Sequence, residues 1–239
     1  MTKNKFTMLL KLMMVFALVW YLPKEAQLNA IVVPAGNVYN GDNALVSNPK
    51  GKEIYIYNTH QAEKYQDYDV VAGAKYLQEK LIQRGYGCMV ENNDFEAYKN
   101  QNSISYDYSY TVSKLFLEQN LLNGGNYDLL IDFHRDALTK EASTLQYDGK
   151  SYAKILFVVG EGSDNYESVK ALSTSLSNLL ETQVPGISRG LMHKQSHYNQ
   201  DTTSNMILLE FGGDKNTKEE VQNSIEVVAK CIDQYLGGL

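Results

Sequence analysis

Two of the four histidines lie where strand-like segments end. His60 and His134 each follow a short run of β-branched, aromatic and aliphatic residues, and Glu210 follows a third such run. The three runs are Ile54–Tyr57, Leu129–Phe133 and Met206–Leu209. Two imidazoles and one carboxylate form a common three-ligand set for zinc, which leaves a fourth position open to water. Zinc lowers the pKa of such a water toward about 7, and a nearby carboxylate can then take its proton. The pattern predicts a zinc-dependent hydrolase.

Two alternatives stand beside this prediction. A histidine at the end of a strand is commonly a hydrogen-bonded structural residue, and that reading applies to His60 and His134 taken singly. His193 and His197 form a rival pair, because their spacing would place both imidazoles on one face of a helix. Gly190 and Ser196 are poor helix formers, however, and no glutamate follows His193. We therefore expect a loop there.

The elements that must position these residues alternate between strand-like and helix-like periodicity. Further strands are predicted at Tyr86–Val90 and Ala153–Val159, and helices at Asp69–Arg84, Ser109–Leu122, Tyr166–Leu180 and Val221–Tyr235. Such alternation predicts an α/β fold with a largely parallel sheet flanked by helices. Ligands of these sheets bind beyond the carboxyl ends of the strands, where both histidines and Glu210 are placed.

The first thirty residues differ in character from the rest. Lysines flank or interrupt an apolar stretch from Met8 to Leu22, and no acidic residue precedes Glu25. This pattern is typical of a signal peptide or a membrane anchor over residues 1–30, which would place the protein outside the cytoplasm. Residues 31–52 are rich in Gly, Pro and Asn and are predicted to be a linker, followed by a catalytic domain over 53–239. The net charge of −6 argues against a nucleic-acid partner.

Short motifs around the candidate residues resemble a known family. They are Ile56–Tyr65, Asp132–Ala137, Tyr198–Asp201, and Leu208–Gly213 with Asn216–Thr217. In this order they resemble the stage II sporulation protein P family, which comprises membrane-anchored, zinc-dependent N-acetylmuramoyl-L-alanine amidases. The resemblance implies a mixed, largely parallel sheet of the phosphorylase/hydrolase-like kind. It also implies a peptidoglycan substrate, cleaved between the muramoyl lactyl group and L-alanine, and a lytic transglycosylase partner.

The resemblance also implies roles for individual residues. His60, Glu63 and His134 would bind zinc, and Glu210 would act as the general base. Because the broader amidases place their ligand glutamate further along the chain, Asp67 and Asp69 remain alternatives to Glu63. The first motif carries Asn58 where family members usually have a second histidine, so support around the ligand could differ.

Three further polar residues are candidates with an alternative each. Arg135 could polarise the scissile carbonyl, or it could pair structurally with Asp132 or Asp136. The amides of Asn199 and Gln200 could bind peptide or acetamido groups, although a turn would explain Asn199 equally well. At the level of the whole chain, a catalytically silent wall-binding protein and a different extracytoplasmic zinc hydrolase are the competing functions.

Overall fold

The computed structural model of the protein describes residues 48 and 50–237. The strands are β1 (Glu53–Tyr57), β2 (Gly87–Val90), β3 (Leu129–Asp136), β4 (Thr144–Tyr147), β5 (Lys150–Ala153), β6 (Ile155–Gly160), β7 (Ser188–Lys194) and β8 (Met206–Gly213). The helices are α1 (Val70–Gln83), α2 (Phe95–Gln101), α3 (Ser109–Leu122), α4 (Lys140–Ser143), α5 (Tyr166–Gln183) and α6 (Lys218–Gly237). A 3-10 turn at Tyr106–Tyr108 leads into α3.

Six strands form one mixed sheet in the order β2-β1-β3-β8-β6-β7. β2, β1, β3 and β8 run parallel to one another, whereas β6 pairs with β8 in the antiparallel sense and β7 runs parallel to β6. β4 and β5 form a separate antiparallel hairpin. The predicted α/β class and the mixed, largely parallel sheet are confirmed.

The two faces of the sheet are covered by different helices, because successive side chains of a strand point to opposite faces. Ile131, Phe133, Leu209 and Phe211 belong to the large core that includes residues of α1, α5 and α6. The rings of Phe133 and Phe211 stack there with centroids 4.1 Å apart. On the other face, Tyr55, Tyr57 and Leu130 pack against residues of α2 and α3. Asp132, His134 and Glu210 alternate with the large-core residues, so they lie on this second face.

The structure confirms the predicted loop at His197 and corrects it at His193. Ser188–Lys194 is an edge strand, and its paired residues run from Ile155 with Ser188 to Gly160 with Lys194. An edge strand keeps one side open to solvent, so its polar residues resemble those of a loop. Because β6 and β7 run against β8, His193 lies toward the sheet edge opposite to that of His134.

The helix and strand predictions otherwise agree with the structure to within a few residues. α1 begins where Asp69 accepts a hydrogen bond from the Ala72 backbone N–H, and Gly85 follows its end with a φ of 89°. The predicted anchor at residues 1–30 and nearly all of the 31–52 linker lie outside the described residues. Among the helices that the structure does describe, none has the length and apolarity needed to cross a membrane.

Candidate active site

The centre of the candidate site is formed by two adjacent parallel strands. His134 of β3 and Glu210 of β8 are direct partners in the strand register. Both strands extend beyond their predicted ends, so these two residues belong to the strands instead of the loops that follow. Strand pairing therefore fixes their side chains on the same face and beside one another.

His60 reaches the same place from the turn that follows β1. Its ring meets that of His134 edge to face, with centroids 5.2 Å apart. It also stacks on Tyr106 at 4.7 Å and meets the edge of Tyr110 at 5.4 Å. Burial, followed by the neighbouring His134, lowers the pKa of His60 to about 4, so its imidazole is neutral and able to bind a metal at pH 7.

Glu63 supplies a carboxylate next to His134. One of its oxygens accepts a hydrogen bond from the Arg135 backbone N–H at 3.1 Å and lies 3.5 Å from Nδ1 of His134. The two alternative acids serve as helix caps. Asp69 caps α1, and Asp67 accepts from the backbone N–H of Lys218 at the start of α6. The geometry therefore favours Glu63 as the carboxylate of this site.

A buried polar chain lies behind His134. Asp132 is fully buried, and its oxygens accept from the Thr59 backbone N–H at 2.9 Å and from the Thr59 hydroxyl at 2.7 Å. The Thr59 hydroxyl is also hydrogen-bonded to that of Ser113, which accepts from the side-chain amide of Asn199. One oxygen of Asp132 lies 2.8 Å from Nε2 of His134. The chain links the β1 turn, α3 and β3 directly to the candidate ligand.

Asn58, which replaces the second histidine of the family motif, supports the same region. Its side-chain amide donates to the backbone carbonyls of Val70 and Phe133, at 3.2 Å and 2.6 Å. Phe133 directly precedes His134, so Asn58 helps to hold the end of β1 against the ligand-bearing part of β3.

The titration behaviour of Glu210 and His134 is coupled. Burial raises the pKa of Glu210 from its ordinary value of 4.5 to about 7, although His134 opposes this change. For His134, burial favours the neutral ring, but the Asp132 carboxylate outweighs it and holds the pKa well above the ordinary value. A carboxyl group with a pKa near 7 can both accept and release a proton at neutral pH.

The donor atoms present fit a metal, although they are not arranged as a closed shell. Two buried side-chain atoms at this place have no polar partner among the described residues: His60 Nδ1 and Glu210 Oε2. Such unpartnered buried atoms are costly unless a ligand satisfies them. Across residues 50–237, however, no three His, Cys, Asp or Glu side chains converge closely enough to form a ready metal site.

Asn199 and Gln200, for which a role in substrate binding is predicted, make hydrogen bonds within the protein. Both side chains are buried. The Gln200 amide accepts from the Gly160 backbone N–H and donates to the Val158 carbonyl, so it holds β6. Asn199 donates to Ser113 and has a φ of 57°, which agrees with the turn alternative. These bonds give both residues a structural role, and their binding of substrate stays a prediction.

Arg135 also differs from expectation. Its side chain donates to the backbone carbonyls of Lys64 and Asp136, at 3.0 Å and 3.4 Å, and forms neither of the salt bridges considered from the sequence. Asp136 pairs instead with Arg189 at 2.8 Å. The Arg135 backbone N–H holds Glu63, and a role of its side chain toward the scissile carbonyl stays a prediction.

Two further residues at the site had not been expected, Asp132 and Tyr106. Asp132 carried a readable signal, because it lies two positions before His134 in an otherwise apolar strand and so shares its face. The contact between Tyr106 and His60 joins segments far apart in sequence, and no local pattern indicates it.

The comparisons with known proteins identify the family of the chain. The sequence profile of the stage II sporulation protein P family matches residues 24–233. The chain belongs to this family. It is 33% identical over 218 residues to stage II sporulation protein P of Bacillus subtilis (strain 168), with 81% of this chain and 54% of the relative covered. The chain therefore spans about half the length of that relative.

Two solved structures share the fold of this family member. The CwlD amidase from Clostridioides difficile, solved in complex with the GerS lipoprotein, aligns with a TM-score of 0.54 and 16% identity. The N-acetylmuramoyl-L-alanine amidase AmiC2 of Nostoc punctiforme aligns with a TM-score of 0.50 and 12% identity. Each alignment covers 78% of this chain and 98% of the other. At these identities the likeness concerns the fold alone.

Proposed function

We propose that the protein is a zinc-dependent N-acetylmuramoyl-L-alanine amidase that cuts peptidoglycan between the muramoyl lactyl group and L-alanine. One observation carries the proposal: the unpartnered buried atoms His60 Nδ1 and Glu210 Oε2 lie on either side of His134, at the carboxyl edge of a sheet with the amidase fold. Membership of the stage II sporulation protein P family supports a role for this site in the cell wall during sporulation.

His60, His134 and Glu63 would hold the metal. When bound, zinc supplies Lewis acidity that polarises the scissile carbonyl and makes a water molecule more acidic. Asp132 keeps the His134 ring in place, because it is fixed by two hydrogen bonds from Thr59. The Arg135 backbone N–H orients Glu63 in the same way.

Glu210 would carry the proton transfers. Its pKa of about 7 suits a carboxylate that takes a proton from the attacking water on Oε2 and then delivers it to the alanine nitrogen. The carbonyl carbon gains a C–O bond and loses its C–N bond. The products are a glycan with a free lactyl carboxylate and a stem peptide with a free alanine amine.

Two variants test this division of roles. We expect His134→Ala to lose zinc, and Glu210→Ala to retain zinc but lose cleavage. His193→Ala is the matched control, because this exposed histidine lies toward the opposite sheet edge and should behave as the wild type. Zinc is measured by metal analysis and calorimetry, and cleavage by mass spectrometry of digested cell wall. A fully active Glu210→Ala protein would contradict the proposal.

One observation favours a second candidate, a wall-binding protein of the same fold without turnover. No three candidate ligands converge closely within residues 50–237, as they would in a preformed site. The same assays separate the candidates, because the binding protein would release no stem peptide under any metal condition. The membrane anchor, the extracytoplasmic location and the lytic transglycosylase partner stay predictions from the sequence.

A further inference from the structure

Two exposed tyrosines lie beside the candidate site. Tyr106 and Tyr108 occupy a single 3-10 turn before α3, and their exposed fractions are 61% and 60%. These are the highest values among the exposed large hydrophobic residues of the described chain. Since Tyr106 stacks on His60 at 4.7 Å, the aromatic surface begins where the candidate metal site ends.

A buried lysine, Lys99, stabilises the turn that contains Tyr106 and Tyr108. Nζ of Lys99 donates to the Ser109 hydroxyl at 2.8 Å, and this hydroxyl donates to the Tyr106 carbonyl at 2.7 Å. Lys99 also pairs with Glu96 at 2.8 Å and lies 5.4 Å from the centre of the Tyr106 ring. The backbone of this turn and the Tyr106 ring are therefore held in position, so a ligand that stacks on Tyr106 loses little affinity in ordering that ring.

The opposite end of the same sheet edge has a different chemistry. Asp136 follows His134 on β3 and pairs with Arg189, at the start of β7. Strand order places the tyrosine turn next to β1, His134 and Glu210 in the middle, and Arg189 beyond β8. The edge thus runs from an aromatic end to a charged end, with the candidate catalytic residues between them.

A muropeptide likewise has two chemically different ends, a sugar and a charged stem peptide. Its sugar rings present apolar C–H faces with hydroxyl rims, which suit the flat, amphipathic ring of tyrosine. Its stem peptide carries carboxylates, which suit a guanidinium group. We propose that Tyr106 and Tyr108 form a subsite for a sugar ring of the glycan strand, so that the stem peptide extends toward Asp136 and Arg189. This inference rests on the proposed function and adds the direction in which the substrate lies.

Binding of the two halves of the substrate tests the inference separately from cleavage. The probes are a stem-free tetrasaccharide of alternating N-acetylglucosamine and N-acetylmuramic acid, and a free stem tetrapeptide, each titrated calorimetrically into the zinc-loaded protein. We expect Tyr108→Ala to weaken binding of the tetrasaccharide about tenfold and to leave binding of the tetrapeptide unchanged. Arg189→Gln should show the reverse pattern.

Three controls make the test specific. Tyr108→Trp retains an aromatic face and should restore binding of the tetrasaccharide. Tyr235→Ala removes another exposed tyrosine, on α6 near the contact of Asp233 with Lys50, and should change neither affinity. Thermal unfolding confirms that each variant is folded, since both tyrosines are exposed and their removal leaves the core intact.

The outcomes separate this inference from the proposed function. If Tyr108→Ala binds the tetrasaccharide as the wild type does, or loses the tetrapeptide instead, the sugar subsite is wrong even where the amide is cleaved. If Tyr108→Ala weakens sugar binding but the wild type cleaves no amide, the subsite stands and the amidase proposal fails.

Discussion

Glu210 is expected to destabilise the protein that contains it. Burial raises the pKa of this carboxyl from 4.5 to about 7, which at about 1.36 kcal/mol per pKa unit corresponds to a penalty of about 3 kcal/mol. Below pH 4.5 the group is protonated in both folded and unfolded chains, and the penalty is absent. As the pH rises from 4.5 to 7, the unfolded chain ionises first, so the free energy of unfolding falls. Above pH 7 the penalty is complete.

Replacing this residue by its neutral isostere should reveal the penalty. We expect metal-free Glu210→Gln to have a free energy of unfolding about 3 kcal/mol above that of the wild type at pH 8, and an equal one near pH 4.5. The measurement is urea denaturation followed by circular dichroism, with a chelator present because a bound cation would stabilise the carboxylate. Glu79→Gln, an exposed substitution on α1, should change stability by less than about 0.5 kcal/mol. An equal effect of Glu210→Gln at both pH values would refute the reasoning.

Two further predictions concern buried carboxylates. Asp132→Asn keeps the shape of the side chain but removes the charge 2.8 Å from His134, so zinc affinity should fall about 10–100-fold in a competition titration with a fluorescent chelator. An unchanged affinity with a lowered melting temperature would instead make Asp132 a purely structural residue. Burial alone would raise the pKa of Glu220, but hydrogen bonds from Lys140 and the Thr217 backbone hold it at about 2. Glu220→Gln should therefore lower the free energy of unfolding by about 3 kcal/mol at pH 7, with the difference vanishing as the pH falls from 4.5 toward 2; a constant difference would argue against this role.

The sequence predicts the elements of this fold well because their periodicity is local. The run Ile54–Tyr57 and the helical spacing that leads to Gly85 depend only on neighbouring residues. The direction of β6 depends on its partner strand β8, and an apolar run has the same sequence pattern in a parallel and in an antiparallel strand. The edge strand β7 was missed for a related reason: half of its surface is solvated, and its composition resembles that of a loop.

The residues of the candidate site also separate into those that local sequence predicts and those that only the tertiary structure reveals. His60, His134 and Glu210 could be located because each lies at or just beyond the carboxyl end of a strand, and these ends converge in a parallel sheet. The choice of Glu63 over Asp67 and Asp69 required the structure, because only there do the two aspartates cap helices. The burial of Asn199 and Gln200 could not be predicted either, because the sequence does not distinguish a side-chain amide that bonds to other protein groups from one that binds a ligand.

The register between β3 and β8 has a consequence for variation in this protein. His134 and Glu210 face each other through backbone pairing, although the hairpin, β6, α5 and β7 all lie between them in the chain. Insertions and deletions in the connections among those elements leave the pair untouched. A one-residue deletion within β3 ahead of His134 would instead turn its imidazole to the opposite face, toward Phe211. We therefore expect the loops to tolerate changes of length, and these two strands to tolerate none.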